Sequence, residues 1–213
     1  MTIRVVLADD HPPTRQGVRA ALESAPDIDV VGEAGDGVEA KKLVAALGPD
    51  ILLLDLIMPG PKPADIERWV RHNHPETITL ILTAHDRDAL LAEMAAAGAA
   101  GFLTKDEDTP ALITAIRRAA QGEVLYTPEQ LERVRRWREE VGQRWESLTE
   151  REREVLCLVA AFRTDAEIAT ELCISEKTIG HHVSHVLDKL GMSSRREVAR
   201  WVLKHKVGSW PES

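Results

Sequence analysis

Residues 51–60 read ILLLDLIMPG: four large apolar residues run into a lone carboxylate, Asp55, and the chain then breaks at Pro59 and Gly60. A strand that is apolar on both faces belongs inside a parallel sheet, with polar residues admitted only at its carboxyl end. In open α/β sheets ligands sit beyond that end, so Asp55 stands where chemistry is expected. A single Asp after a strand more often caps the next turn. The neighbouring segments decide between the two readings.

Working outward, residues 3–8 (IRVVLA) form a strand that ends in Asp9, Asp10 and His11, and Pro12 and Pro13 open an amphipathic helix to Ser24. Residues 29–34 read as a second strand, followed by a helix to about Leu47. The third strand holds Asp55, and a helix over residues 64–73 leads to a fourth strand over residues 77–83, ending on the hydroxyl of Thr83. A helix over residues 87–97, Gly98 and a short strand over residues 101–104 follow, ending at Lys105. Thr109 and Pro110 cap and begin a last helix to Gln121. Strands alternating with helices predict an α/β fold, a doubly wound five-stranded parallel sheet.

Charge divides the chain. Residues 1–125 carry 12 Lys/Arg against 20 Asp/Glu, residues 126–143 carry 4 against 4, and residues 144–213 carry 11 against 11. The net charge of −8 therefore lies in the first part, and the neutral second part gives no bulk signal for nucleic acid. The two cysteines, Cys157 and Cys173, lie in apolar helical patterns and read as buried free thiols, which suits a reducing cytoplasm. No Cys/His spacing predicts a zinc site. There is no signal-peptide pattern or transmembrane-length apolar run, so a cytoplasmic protein with no membrane partner is expected.

Asp9, Asp10, Asp55, Thr83 and Lys105 all fall at carboxyl ends of strands, on one edge of one sheet. Crowded carboxylates repel each other and need a cation, and hard oxygen donors suit Mg2+ completed by a backbone carbonyl and waters. A Lys and a Thr hydroxyl add a cradle for anionic oxygens. Together they equip the edge to receive a phosphoryl group on an Asp.

Residues 1–122, with LADDH, DLIMPG, LTA and FLTKD in order, resemble the receiver domain of two-component response regulators. The resemblance implies that Asp55 is the phosphoacceptor, that Asp9 and Asp10 hold Mg2+ with Asp55, and that Ile57 lends its backbone carbonyl to the metal. It further implies that Thr83 and Lys105 bind the phosphoryl oxygens and that Phe102 is an aromatic switch residue. Ile57 and His85, each two residues beyond a site residue, flank the site in the family and influence hydrolysis. An apolar Ile57 cannot orient an attacking water, so a long-lived phosphoryl group is expected.

Residues 123–146 form a linker in which Thr127-Pro128-Glu129-Gln130 reads as a capping box with Pro at the first helical position, followed by Leu131, Val134, Trp137 and Val141 at helical spacing. Residues 147–207 are helical throughout. Thr149/Glu152 and Thr164/Glu167 form capping boxes, Ser175 caps a helix over residues 176–190 stopped by Gly191, and a last helix runs over residues 194–206. A short helix, a tight turn and a longer helix predict a helix-turn-helix within a four-helix domain.

LTEREREVLCLVA, EIATEL, SEKTIGHHVSHVLDKLG and SSRREVA resemble the LuxR-type DNA-binding domain, and the whole chain resembles a NarL/FixJ-type response regulator. That implies double-stranded DNA contacts from Lys177, Thr178, Gly180, His181, His182, Ser184, His185 and Lys189, with Ile168, Ile179, Val183, Val186, Leu187 and Leu190 as core. It also implies a sensor histidine kinase as phosphoryl donor and a homodimer when phosphorylated. Phe162 and Asp165 depart from the Gly and Asn that family members often carry in the turn before the second helix. The recognition helix is poor in basic residues, which predicts weak intrinsic DNA affinity with a shallow salt dependence. Two further readings compete: a protein-interaction module with receiver-controlled dimerisation and little DNA binding, and an aspartyl-phosphate hydrolase. No second acid or base accompanies Asp55, so an enzyme is not expected.

Overall fold

The computed structural model of the chain describes residues 2–205 and Val207; the expected last residue of the final helix, Lys206, lies outside them. The described chain divides into two compact units, the first running to Glu132 and the second beginning at Arg133.

In the first unit, strands β1 (Ile3–Ala8), β2 (Ile28–Ala34), β3 (Ile51–Leu54), β4 (Ile78–Thr83) and β5 (Gly101–Thr104) alternate with helices α1 (Pro12–Glu23), α2 (Gly37–Leu47), α3 (Pro63–Asn73), α4 (Asp88–Ala97) and α5 (Thr109–Ala120). All pairings are parallel, in the order β2-β1-β3-β4-β5. Ile51, Leu52, Leu53 and Leu54 are all fully buried, as the unbroken apolar run requires. Each contributes about 1.5–3 kcal/mol by leaving water. Alternate strand residues, among them Val5, Leu7, Ile51, Leu53, Leu80, Leu82 and Leu103, pack with Leu22 of α1 and Leu112 and Ile116 of α5. Their neighbours, Val6, Leu52, Leu54, Ile81 and Phe102, point by strand alternation to the opposite face.

Two local expectations shift. β3 ends at Leu54, one residue before Asp55, because Asp55 leaves the ladder after donating its N–H to the Ala8 carbonyl (2.9 Å). Helix α5 is capped by Asp108, whose carboxylate accepts from the Ala111 N–H (2.8 Å), while Thr109 is already helical. A carboxylate at the N-cap also meets the positive end of the helix dipole, which an uncharged hydroxyl does less strongly.

Beyond α5 the chain returns along the edge of the sheet. The Leu125 N–H donates to the Ala100 carbonyl at 2.7 Å, and helix α6 (Pro128–Trp137) then starts at the expected capping box. Gln130 N–H donates to Thr127 Oγ1 (3.1 Å), and Gln130 Oε1 accepts from Thr127 N–H (3.0 Å). Leu131, expected on an apolar stripe, is half exposed at 52%.

In the second unit a π-helical turn (Arg138–Gly142) continues into α7 (Gln143–Glu146), followed by α8 (Glu150–Ala160), α9 (Asp165–Glu171), α10 (Glu176–Leu190) and α11 (Arg195–His205). Both expected capping boxes close α8 and α9 reciprocally, and Ser175 caps α10. Val155, Leu156, Ile168, Ile179, Val186, Leu190 and Val198 form the core, with Val183 and Leu187 partly buried against it. Cys157 is half-buried, and burial pushes its thiol up to about 11. Cys173 departs from expectation: it is exposed, because it occupies the turn between α9 and α10 with φ +54° instead of a helical core position.

Candidate functional site

Sheet register gathers the predicted carboxyl-edge residues. Ala8 pairs with Leu54, which sets Asp9 beside Asp55, and Thr83 pairs with Thr104, which sets Lys105 beside the end of β4. Lys105 Nζ lies 2.7 Å from Asp9 Oδ2 and 2.6 Å from Asp55 Oδ2. Both carboxylates are buried, at 1% and 5% exposure, so one ammonium compensates two charges that would otherwise face each other out of water. Burial alone would lower the Lys105 ammonium below its usual value; hydrogen bonds and charge from Asp55 and Asp9 outweigh it and hold the group above that value.

The remaining oxygens are each held. Asp55 Oδ1 accepts the Leu56 N–H at 2.6 Å, Asp9 Oδ1 accepts the His11 N–H at 2.8 Å, and Arg15 Nη1 donates to the Asp9 carbonyl at 2.5 Å. Thr83 is fully buried, and its Oγ1 accepts the His85 N–H at 3.1 Å. That arrangement leaves the hydroxyl proton available to an incoming acceptor. Ile57 is half-buried beside Asp55.

Asp9, Asp10 and His11 each offer a ligand atom within 4.8 Å of the others. Two carboxylates in this cluster, with Asp55 tied to Asp9 through Lys105, fit a hard divalent cation such as Mg2+. His11 was not singled out from sequence; its Nδ1 lies 2.8 Å from Asp10 Oδ1 and orients that carboxylate. Its place directly after two acidic residues was the available signal.

Phe102 is 1% exposed, beside Ile81 on β4. Its carbonyl, on the edge strand, accepts a hydrogen bond from Gln130 Nε2 at 2.9 Å. The same Gln130 side chain therefore caps α6 and fastens it to the strand carrying Phe102. Sequence shows only the capping role, because the second bond depends on the chain's return along β5.

In the second unit, Lys177, Thr178, Gly180, His181, Ser184, His185 and Lys189 lie exposed on α10, with His182 half-buried. A Cβ added at Gly180 would meet nothing within 4 Å, so the helix surface is open there. Not every polar group on this helix is free. Thr178 Oγ1 is 2.8 Å from Ser175 Oγ, and Lys189 Nζ lies 2.7 Å from Oε2 of the buried Glu152. His185 Nδ1 is 3.9 Å from the same carboxylate. Burial acts to raise the Glu152 carboxyl, but Lys189 and the Thr149 cap together hold it below its usual value. Asp165, which replaces an expected Asn, pairs with Arg195 of α11.

An Asp–Lys–Asp carboxyl edge on a five-stranded sheet, followed by a helix-turn-helix unit, defines a signal receiver joined to a DNA-binding domain. Residues 5–117 match the response regulator receiver domain, and residues 146–202 match the bacterial regulatory proteins of the luxR family. The chain belongs to the two-component response regulators that pair a receiver with a LuxR-type domain. It is 36% identical over 200 residues to the transcriptional regulatory protein LiaR of Bacillus subtilis, covering 92% of this chain and 95% of that one. It is 32% identical over 207 residues to the response regulator protein VraR of Staphylococcus aureus, covering 97% and 99%. Among solved structures, the receiver domain of the putative response regulator NarL from Mycobacterium tuberculosis is 41% identical over 57% of this chain and 98% of that one, with a TM-score of 0.56. The response regulator RcsB in its DNA complex is 27% identical over 95% and 98%, with a TM-score of 0.60. The chain is thus a response regulator with a DNA-binding domain, and no described helix is long and apolar enough to cross a membrane.

Proposed function

We propose that this chain is a cytoplasmic transcription regulator whose DNA binding is controlled by phosphoryl transfer from a sensor histidine kinase to Asp55. The bridge from Lys105 to both Asp9 and Asp55 is the observation that carries the reading, since it places a cation at the point where phosphoryl charge would accumulate. An Asp55 carboxylate oxygen attacks phosphorus, the bond to the kinase imidazole breaks, and the phosphoryl group becomes an acyl phosphate. Asp9, Asp10 and Asp55, with the Ile57 carbonyl, would hold Mg2+, which when bound offsets charge on the transferred group. Lys105 pairs with one phosphoryl oxygen, and the Thr83 hydroxyl donates to another.

Drawing Thr83 toward the phosphoryl group frees space along β4, into which Phe102 moves. Phe102 is fastened to α6 through Gln130, so this motion is delivered to the connector directly. Phosphorylation can shift such an equilibrium only by stabilising one state more than the other, so some unphosphorylated activity is expected. The phosphorylated chain then forms a homodimer on paired half-sites. The exposed α10 residues Lys177, Gly180, His181, Ser184 and His185 face the major groove, while Lys189 also serves the fold through Glu152.

The test is sedimentation and selection from random duplexes, with and without beryllofluoride and Mg2+, on the full chain and on Asp55→Ala. Treated wild type alone should gain mass and enrich a repeated site. Equal behaviour of wild type and Asp55→Ala under treatment would overturn the assignment of Asp55.

A further inference from the structure

Three buried oxygens of the first unit have no hydrogen-bond partner among the described residues: Glu67 Oε2 on α3, Thr79 Oγ1 on β4 and the Tyr126 hydroxyl in the connector. Glu67 and Thr79 are each 2% exposed. Sheet geometry turns them toward one another. Leu125 packs with the core between the sheet and helices α1 and α5, so Tyr126, the next residue of the segment, turns to the opposite face. Thr79 points there too, by alternation with Ile78 and Leu80. Burial, and then the charge of Glu67, raise the Tyr126 hydroxyl above its usual value, so the two groups lie within electrostatic reach.

The surroundings of Glu67 do not favour its charge. Burial is the largest influence and pushes the carboxyl up to about 7, partly opposed by the Thr79 hydroxyl and by exposed Arg71 one turn along α3. The large buried side chains of α4, Leu90, Leu91 and Met94, are apolar, and Lys41 of α2 lies over the Trp69 ring. A neutral carboxyl both donates and accepts, which suits a closed pocket with two hydroxyls. A carboxylate only accepts, and in so dry a place it requires water. The wall that gives way most readily is the connector. α3 and β4 are built into helix and ladder hydrogen bonds, whereas the connector holds to the sheet edge through the Ala100 and Phe102 carbonyls. We infer that Tyr126, Glu67 and Thr79 form a proton-operated latch, which seats the connector on the sheet while the Glu67 carboxyl is neutral and lets it lift when the carboxyl ionises. The inference does not depend on the chemistry at Asp55.

Tyr126 is the chain's single tyrosine, so 13Cζ-tyrosine labelling of the full chain gives one NMR resonance that reports this site. That resonance should titrate with a midpoint near 7, and Glu67→Gln should leave it flat. Opening is read by native-state exchange of the Leu125 amide, corrected for intrinsic rates. The carboxyl lies higher in the closed latch than in the open one, so closure is strongest below 4.5 and weakens as pH rises to about 7. From pH 6 to pH 8 the opening equilibrium should therefore rise about tenfold. Thr79→Val removes a hydroxyl that favours the charged form and should move the midpoint upward, which keeps the test decisive if Glu67→Gln fails to fold. The inference is overturned if the Tyr126 resonance does not titrate, if Glu67→Gln titrates as wild type does, or if Leu125 exchange stays level or slows between pH 6 and pH 8. It is equally overturned if Leu125 exchanges no faster than the Leu53 amide of the sheet interior, since the connector would then open only with the whole unit.

Discussion

Replacing Gln130 by Leu tests whether the connector is fastened to the strand carrying Phe102 by one side chain. Leu matches Gln in helix propensity, so the substitution removes hydrogen bonds without unsettling the helix itself. Two interactions are lost: the half of the cap in which Gln130 Oε1 accepts the Thr127 N–H, and the 2.9 Å bond to the Phe102 carbonyl. Each contributes about 1 kcal/mol. Together they amount to about 2 kcal/mol, or roughly thirtyfold in the local opening equilibrium of α6. The assay is native-state hydrogen exchange of the α6 amides from Leu131 onward, which reports such opening directly. Thr127→Ala removes the cap hydroxyl but leaves the Phe102 bond, and should speed exchange only about fivefold. Equal exchange in Gln130→Leu and Thr127→Ala would show that the bond to Phe102 contributes nothing. Wild-type exchange in both would show that this cluster does not hold the helix.

Further outcomes are expected. Ile57→Asn supplies a polar side chain beside Asp55 and should shorten the acyl-phosphate lifetime several-fold; an unchanged dephosphorylation time course would sink the role given to Ile57. Glu67 on α3 is 2% exposed, and burial raises its carboxyl to about 7, only partly countered by Thr79 and Arg71. The folded state therefore binds an extra proton between the unfolded value of 4.5 and about 7, and its stability falls across that window as pH rises. Glu67→Gln should remove this loss, at most about 3 kcal/mol, as seen by urea unfolding at pH 5 and pH 8; parallel pH dependence in both proteins would refute it. Lys189→Met leaves the Glu152 carboxylate buried without its cation and should cost about 1 kcal/mol after allowance for the exposed ammonium, a loss visible in thermal melts without DNA. Gly180→Ala meets no neighbour and should add roughly 1 kcal/mol of stability; weaker specific DNA binding alongside it would mark Gly180 as a point of close approach to the duplex.

The fold was legible because its cues are local. The run before Asp55 could only be a fully buried strand, and the Thr149/Glu152, Thr164/Glu167 and Ser175 caps placed three helix starts that the structure keeps. The carboxyl-edge site was legible for a related reason: parallel topology puts every strand's end on one edge, so chain order alone brings Asp9, Asp55, Thr83 and Lys105 together. What escaped sequence was every second role of a residue already explained. Glu152 read as a capping partner, yet its other task is to hold Lys189 across 37 positions. Asp165 read as a misplaced carboxylate, yet it answers Arg195 across 30. A first role satisfies the local pattern and removes the reason to look for another.

The edge position of β5 connects these observations to control. A central strand has both sides of its ladder filled, whereas β5 has one side open to whatever follows in the chain. Leu125 takes the Ala100 carbonyl and Gln130 takes the Phe102 carbonyl, so the connector supplies two donors to the open side of the strand that carries Phe102. An unpaired edge carbonyl is readily served by water, so the fastening is weak enough to be exchanged, unlike a ladder bond in the sheet interior. Under the proposed phosphoryl switch, a bond of about 1 kcal/mol would let the connector be released by a change at Asp55. A fully buried bond would resist release, and no bond would leave the connector indifferent to Phe102.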